Sequence, residues 1–390
     1  MPSALVDLGV AARLGLRELG RRLSGAREPA PDLARFRASL GRTLATLPAG
    51  LVTEHAWIEL PASEAPWRDS GIALRAGEEV TYFAAGRVMV SAALDVWVGP
   101  RLQLWARVGE DGPIRSSSRD SNTLRAERDG RLYFGNYFPN DWKDASGARV
   151  QDDSVYKGMA GEIWILALRW RGSAKDGLAA LAAAGDPLGV VASERERLAL
   201  GDPAPAGWHY LWHVGESEIF RARQGPNGER AIEAEFVGDT AILQRDVAFA
   251  LRPDTEIAWR WRVDALPGLV REDSIVSHDY LSLAVEFENG LDLTYYWSTA
   301  LPVGAAYWCP LPNWKHKEFH VVIRSGATGL GAWHAERRNL HADALRYFGK
   351  DPGNVVRVWL IANSVFKRQR GCFSVAEIRL RSRGEEQVVL

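Results

Sequence analysis

Past the first fifty residues, apolar and polar side chains alternate in short runs separated by turn residues, the period-two pattern of half-buried strands. One group of such runs covers residues 56–60, 79–83, 130–135 and 162–168, and a second covers 257–263, 277–287, 291–298 and the stretch His316–Ile323. Ahead of them the period changes to 3.6. Leu8, Ala12, Leu16, Leu19 and Leu23 fall on one helical stripe with Arg13, Arg17 and Arg21 on another face, and Leu33, Phe36, Leu40 and Leu44 form the stripe of a second helix over about 31–47. Between 171 and 207 the composition shifts to Ala, Leu, Gly and Pro, with helical runs at 177–184 and 193–200. A last helix is expected over 339–348, where Gly349 and Pro352 stop it.

This order predicts a mainly β protein: two β-sandwich, jelly-roll-like domains with a helical N-terminal extension. The expected boundaries are an extension over 1–50, a first sandwich over 51–170, a helical linker over 171–207 and a second sandwich over 208–390. The first stripe of leucines suits a helix docked on the protein's own body. The alternative is an arginine-flanked helix resting on a membrane surface or a partner.

Charge and cysteine content narrow the function. A net charge of −1 with both signs interspersed argues against a nucleic-acid partner, whose phosphates need neutralising. Two cysteines, Cys309 and Cys372, exclude a disulfide-dense scaffold and a zinc site built on paired thiolates. They are expected as small buried hydrophobes, with a single disulfide as the alternative. Asp7 and Arg13 interrupt the apolar start and no long apolar run follows, so neither a secretory leader nor a spanning helix is expected, which points to the cytoplasm. A phosphate loop, a nucleophile elbow, a zinc-protease helix and a dinucleotide fingerprint are all missing from the sequence, which argues against ATPase, α/β-hydrolase and dehydrogenase readings.

Two stretches carry resemblances. Trp67-Arg-Asp-Ser-Gly71, Ala76-Gly77-Glu-Glu-Val80-Thr81, the Gly99-Pro100 turn and Gly130-Arg-Leu-Tyr-Phe-Gly-Asn136 give residues 67–170 a strand rhythm that resembles the PA-I-like galactose-binding lectin fold. That resemblance implies calcium ligands in the loop that follows, where Asn136, Asn140, Asp141, Asp144, Asp152 and Asp153 are the candidates. An Asx-rich loop that caps its own backbone is the alternative. From about Trp208 onward, Trp259-Arg-Trp261-Arg-Val, His278-Asp279-Tyr280, Leu293-Thr-Tyr-Tyr-Trp297-Ser298 and Gly331-Ala-Trp333-His resemble the bacterial domain-of-unknown-function family numbered 3047. The resemblance implies a β-sandwich and carries no catalytic residue across. Where that family has acidic and Asn-rich residues before the last strand, this chain has Lys367, Arg368 and Arg370.

Candidate chemistry gathers in the last third. On a strand, His316, Glu318 and His320 share a face, but the outer two would stand about 13 Å apart, so one metal can take only a neighbouring pair, helped by another strand such as that of His278. For proton transfer, His278 with Tyr296 or Glu286 is the candidate set, and Asp279 adds an acid. Trp297, Tyr307, Trp308, Trp314 and Trp333, with His316 and Arg338, are the candidate ligand-binding residues, since flat rings meet the faces of sugars and apolar polycycles.

Two functions follow from these groups. The first is a binding protein for a glycan or another hydroxylated small molecule, needing no cofactor beyond calcium in the lectin-like loop. The second is a cofactor-independent lyase, hydratase, isomerase or cyclase acting on a hydrophobic small molecule.

Overall fold

A computed structural model describes residues 4–25, 28–64, 67–116, 119–138, 141–150, 152–201 and 204–390, with residues 4–7 in backbone only. The chain divides into two compact units, Gly20–Asp202 with Trp212–Gly215, and Met1–Leu19 with Pro203–Leu211 and Glu216–Leu390.

In the first unit a five-stranded antiparallel sheet faces a four-stranded one. The former orders Val52–Pro61, Ala160–Trp170, Glu79–Ser91 and Val96–Val98, with Ser121–Arg125 also paired to Glu79–Ser91; the latter orders Arg68–Leu74, Gly130–Asn136, Leu104–Val108 and Arg115–Ser116. Alternation along Glu79–Ser91 sends Val80, Tyr82 and Ala84 into the core between the sheets and Phe83 to the opposite face. There Phe83, Leu166, Leu168 and Trp170 meet Phe36 and Leu40 of helix Leu33–Ala45 and Leu178, Leu181 and Val191 of helices Ala174–Ala184 and Val190–Leu200. The two helices read as a linker are thus part of this unit's packing.

Helix Ala4–Leu23 corrects the reading of its stripe. Val10, Leu14 and Glu18 are its buried row, while Leu8, Leu16, Leu19 and Leu23 face solvent. Spacing identifies rows on a helix, but several rows compete for the docked position and only the neighbouring surface selects one. No helix among the described residues is long and apolar enough to cross a membrane.

Gly177 shows how tightly helix and sheet meet. A Cβ there would lie 2.2 Å from the Trp170 ring. Gly→Ala inside a helix ordinarily stabilises by up to about 1 kcal/mol. Here the sign is expected to reverse: Gly177→Ala should cost about 1–3 kcal/mol from overpacking, measured by urea denaturation, and a stabilised variant would contradict the close contact.

The second unit is a sandwich of a seven-stranded and a six-stranded sheet. The seven-stranded sheet runs in the order His209–Tyr210, Thr240–Phe249, Val355–Asn363, Tyr280–Phe287, Asp292–Ser298, Glu318–Ser325 and Ala306–Trp308. All its pairings are antiparallel except that of Asp292–Ser298 with Glu318–Ser325. The six-stranded sheet includes Arg230–Val237, Arg370–Ser382, Glu256–Ala265 and Trp333–Asn339. Between the sheets Leu281, Leu283, Val285, Leu293, Tyr295 and Trp297 pack against Trp259, Trp261, Val263 and Phe373. Helix Leu340–Phe348 is capped by Asn339, whose side chain accepts the Ala342 N–H, and ends at left-handed Gly349.

Candidate functional site on the seven-stranded sheet

Because strand residues alternate between faces, the sheet that turns its leucines and valines to the core turns a different set the other way. Register sets Asp246, Arg357, Glu286, Asp292 and Glu318 side by side across five strands. The next row holds Gln244, Trp359, Ala284, Thr294, His320 and Tyr307. Exposure grades steeply along the charged row, from 71% for the Asp246 side chain to 4% for Glu318.

At the open end Arg357 bridges two acids, donating to Glu286 Oε2 at 2.6 Å and to Asp246 Oδ1 at 3.0 Å. Trp359 Nε1 also donates to Glu286, at 3.1 Å, and the half-buried Trp314 stands edge-on to Trp359 at 6.1 Å. His316 lies beside Trp314 in sequence and is exposed, just ahead of the strand that begins at Glu318.

At the closed end four side chains converge. His278, Cys309, Glu318 and His320 are all buried, and one donor atom from each lies within 4.8 Å of the others. His278 Nε2 is 3.4 Å from Cys309 Sγ, and His320 Nε2 is 3.5 Å from Glu318 Oε2. The surroundings orient these groups. His278 Nδ1 meets the Glu272 carbonyl at 2.6 Å, which assigns the proton to Nδ1 and leaves Nε2 with its lone pair toward Cys309. Glu318 Oε1 accepts from the Tyr280 hydroxyl at 2.8 Å and the Thr294 hydroxyl at 3.3 Å, leaving Oε2 to face His320. Tyr307 stacks on His320 with ring centres 5.1 Å apart, and its hydroxyl lies 3.0 Å from that of Tyr296. Among the described residues neither ring nitrogen of His320 has a hydrogen-bond partner.

Burial governs the protonation of this end. It lowers His278 to about 3, helped by the charge of His320. It raises Cys309, Tyr280, Tyr296 and Tyr307. Asp292 is raised by burial and then by the charge of Glu318 beside it. Glu318 goes the other way, to about 2: burial would raise it, but His320 and His278 favour its charged form more strongly.

Sequence reading and structure part at several residues. His278 and Tyr296 both border His320, but both are fully buried, so a substrate would reach them only after the covering segments moved. Glu286 sits six residues along the strand from Tyr280, roughly 20 Å, and is held by Arg357 rather than by His278. Asp279 turns away from the cluster and accepts the N–H groups of Phe366 and Lys367 at 2.9 and 2.7 Å. Trp297 belongs to the core between the sheets, and Trp308 packs on Phe319 and Phe348. Trp333 and Arg338 lie on the other sheet, where Arg260 covers Trp333 and Asp343 pairs with Arg338. Cys309 and Cys372 are free and buried. The cluster member that spacing missed is Cys309, which lies in a loop whose path no periodicity describes.

The lectin-like loop is described in part. Asn136 is buried, and its Oδ1 has no partner among the described residues. Asp141 accepts from the Tyr156 hydroxyl, Arg149 lies 3.7 Å from it, and Arg149 also pairs with Asp153. Asp144 and Asp152 accept the N–H groups of Ser146 and Ser154 at 2.9 and 2.7 Å. Asn140 lies outside the described residues.

Residues 211–379 match the family described as "Protein of unknown function (DUF3047)". No curated protein matches the chain. Among solved structures it is similar to the N-terminal, PllA-like lectin domain of EclA, at 19% identity over 29% of this chain and 95% of that one, with a TM-score of 0.23. It is also similar to the xyloglucanase domain of NopAA from Sinorhizobium fredii, at 8% identity over 46% and 96% of the two chains, with a TM-score of 0.27. A third is the family 11 carbohydrate-binding module of a cellulosomal cellulase of Clostridium thermocellum, at 11% identity over 46% and 85%, with a TM-score of 0.21. None of these assigns a ligand to this chain.

Proposed function

We propose that the chain binds a carbohydrate or a similarly hydroxylated small molecule, at the open end of the polar sheet face. The observation that carries this reading is the row in which Arg357, Glu286 and Asp246 present charged hydrogen-bonding groups beside Trp314 and Trp359. Vicinal hydroxyls accept hydrogen bonds from a guanidinium and donate to carboxylates, while the C–H face of a sugar ring covers an indole. The sheet holds the polar groups rigidly and the 309–317 segment brings Trp314 alongside. His316, two residues after Trp314, is exposed.

The test is calorimetric titration of the full chain with galactose, cellohexaose and xylohexaose, each with calcium and with EDTA. At least one sugar is expected to bind, and Trp314→Ala is expected to weaken it by about tenfold, or about 1.4 kcal/mol. Arg357→Ala is expected to weaken it by a similar factor. Absence of binding to every sugar at about 10 mM, well above a 1 mM Kd, would reject the reading, as would a Trp314→Ala chain that binds as well as the parent. Binding lost in EDTA and unaffected by Trp314→Ala would move the site to the Asn136–Asp153 loop.

A further inference from the structure

We propose that His278, Cys309, Glu318 and His320 form a closed four-ligand site for a divalent transition-metal ion, zinc by the chemistry of its donors. Two imidazoles, a thiolate and a carboxylate make a mixed nitrogen, sulfur and oxygen set of the kind zinc takes in tetrahedral sites. With metal–ligand bonds of about 2.0–2.3 Å, the edges of such a tetrahedron measure roughly 3.3–3.7 Å. The two edges formed by His278 Nε2 with Cys309 Sγ and by His320 Nε2 with Glu318 Oε2 are 3.4 and 3.5 Å, and all the donor atoms lie within 4.8 Å of one another.

A second observation points the same way. A fully buried histidine with both ring nitrogens unpartnered is costly and rare, yet His320 is 0% exposed and neither nitrogen makes a hydrogen bond among the described residues. A metal on Nε2, the nitrogen that faces Glu318, satisfies one of the two. The outer groups also match a metal centre: the Glu272 carbonyl sets the tautomer of His278, and Tyr280 and Thr294 occupy the far oxygen of Glu318. Ligating histidines and carboxylates are ordinarily oriented in this way by the groups behind them. Four protein ligands leave no open position, so the ion's role is to hold the 309–317 segment and the loop before His278 onto the sheet rather than to activate water. The inference does not rest on the sugar-binding reading.

The test uses the full chain, stripped with a chelator and reloaded with zinc or cobalt alone. One zinc per chain is expected by elemental analysis. The cobalt form is expected to show a thiolate charge-transfer band and the visible absorption of tetrahedral cobalt, and Cys309→Ser is expected to lose the band. Zinc should raise the thermal midpoint of the stripped chain by mass action. In case ligand variants fail to fold, Tyr280→Phe keeps the ring and removes only the hydroxyl behind Glu318; it is expected to weaken zinc binding about 10–100-fold. Substoichiometric zinc after reloading, or a cobalt form without the thiolate band, would overturn the proposal. So would a Tyr280→Phe chain with unchanged zinc affinity.

Discussion

A Trp261→Ala chain is expected to lose about 3–5 kcal/mol of stability and to melt roughly 10 °C lower in calorimetry, at about 2–4 °C per kcal/mol for a unit of this size. Trp261 is fully buried between Trp259 and Trp297, with ring centres 5.7 and 6.0 Å away, and its Nε1 donates to Glu336 at 3.0 Å. Truncation opens a cavity that neither neighbouring indole can fill without leaving its own contacts, and it frees a carboxylate that Arg324 then holds alone. Trp261→Phe retains most of the volume and loses the N–H donor, so a drop of about 1.5–3 kcal/mol is expected, the cost of one hydrogen bond to a charged group. Equal losses in the two variants would mean that the hydrogen bond, and not the packing, dominates at this position.

Asp279→Ala is expected to cost about 2–4 kcal/mol, because it strands the buried Lys367 N–H at about 1–3 kcal/mol and removes the bond to the half-buried Phe366 N–H at about 1 kcal/mol. The carboxylate receives Phe366 and Lys367 and so fixes the segment that follows strand Val355–Asn363. Asn363 reinforces the junction by donating to the His278 carbonyl at 2.7 Å. Hydrogen exchange should locate the effect, with amides of residues 364–369 losing protection before those of the six-stranded sheet. Unchanged exchange there would mean the segment is held by something other than Asp279. Asp279→Asn keeps one accepting oxygen and turns an NH2 toward the other donor, so its loss is expected to fall between the parent and the alanine variant.

Much of the fold was legible because backbone periodicity is a local property. The runs at 56–60, 79–83, 130–135 and 162–168 fall inside strands Val52–Pro61, Glu79–Ser91, Gly130–Asn136 and Ala160–Trp170. The helix read over 339–348 is Leu340–Phe348, its stop marked by the left-handed glycine expected there. The mainly β, two-sandwich class follows from the same signals. Helix Ala4–Leu23 was legible as a helix and illegible as a docked surface, since its leucine row is the exposed one.

The candidate site was legible only along single strands. Pairing Glu318 with His320 follows from two-residue spacing on one face, and a contribution from the His278 strand follows from the limit on reach. What spacing cannot supply is the order of strands. The parallel pairing of Asp292–Ser298 with Glu318–Ser325 puts Asp292 beside Glu318 and Thr294 beside His320. That pairing, with the loop that returns through Cys309, assembles the cluster.

The sequence by itself determined which segments are strands and helices, and which residues of each strand share a face, because the pleat and the helical turn depend only on neighbours along the chain. Tertiary structure alone decided that Val10, Leu14 and Glu18 are buried in place of the leucine stripe, that Trp314 stands half-exposed beside Trp359, and that a loop cysteine meets two histidines and a glutamate from two other segments. These outcomes depend on contacts between residues distant in the chain, and the free energy of such contacts resides in their packing and desolvation, which no local pattern encodes.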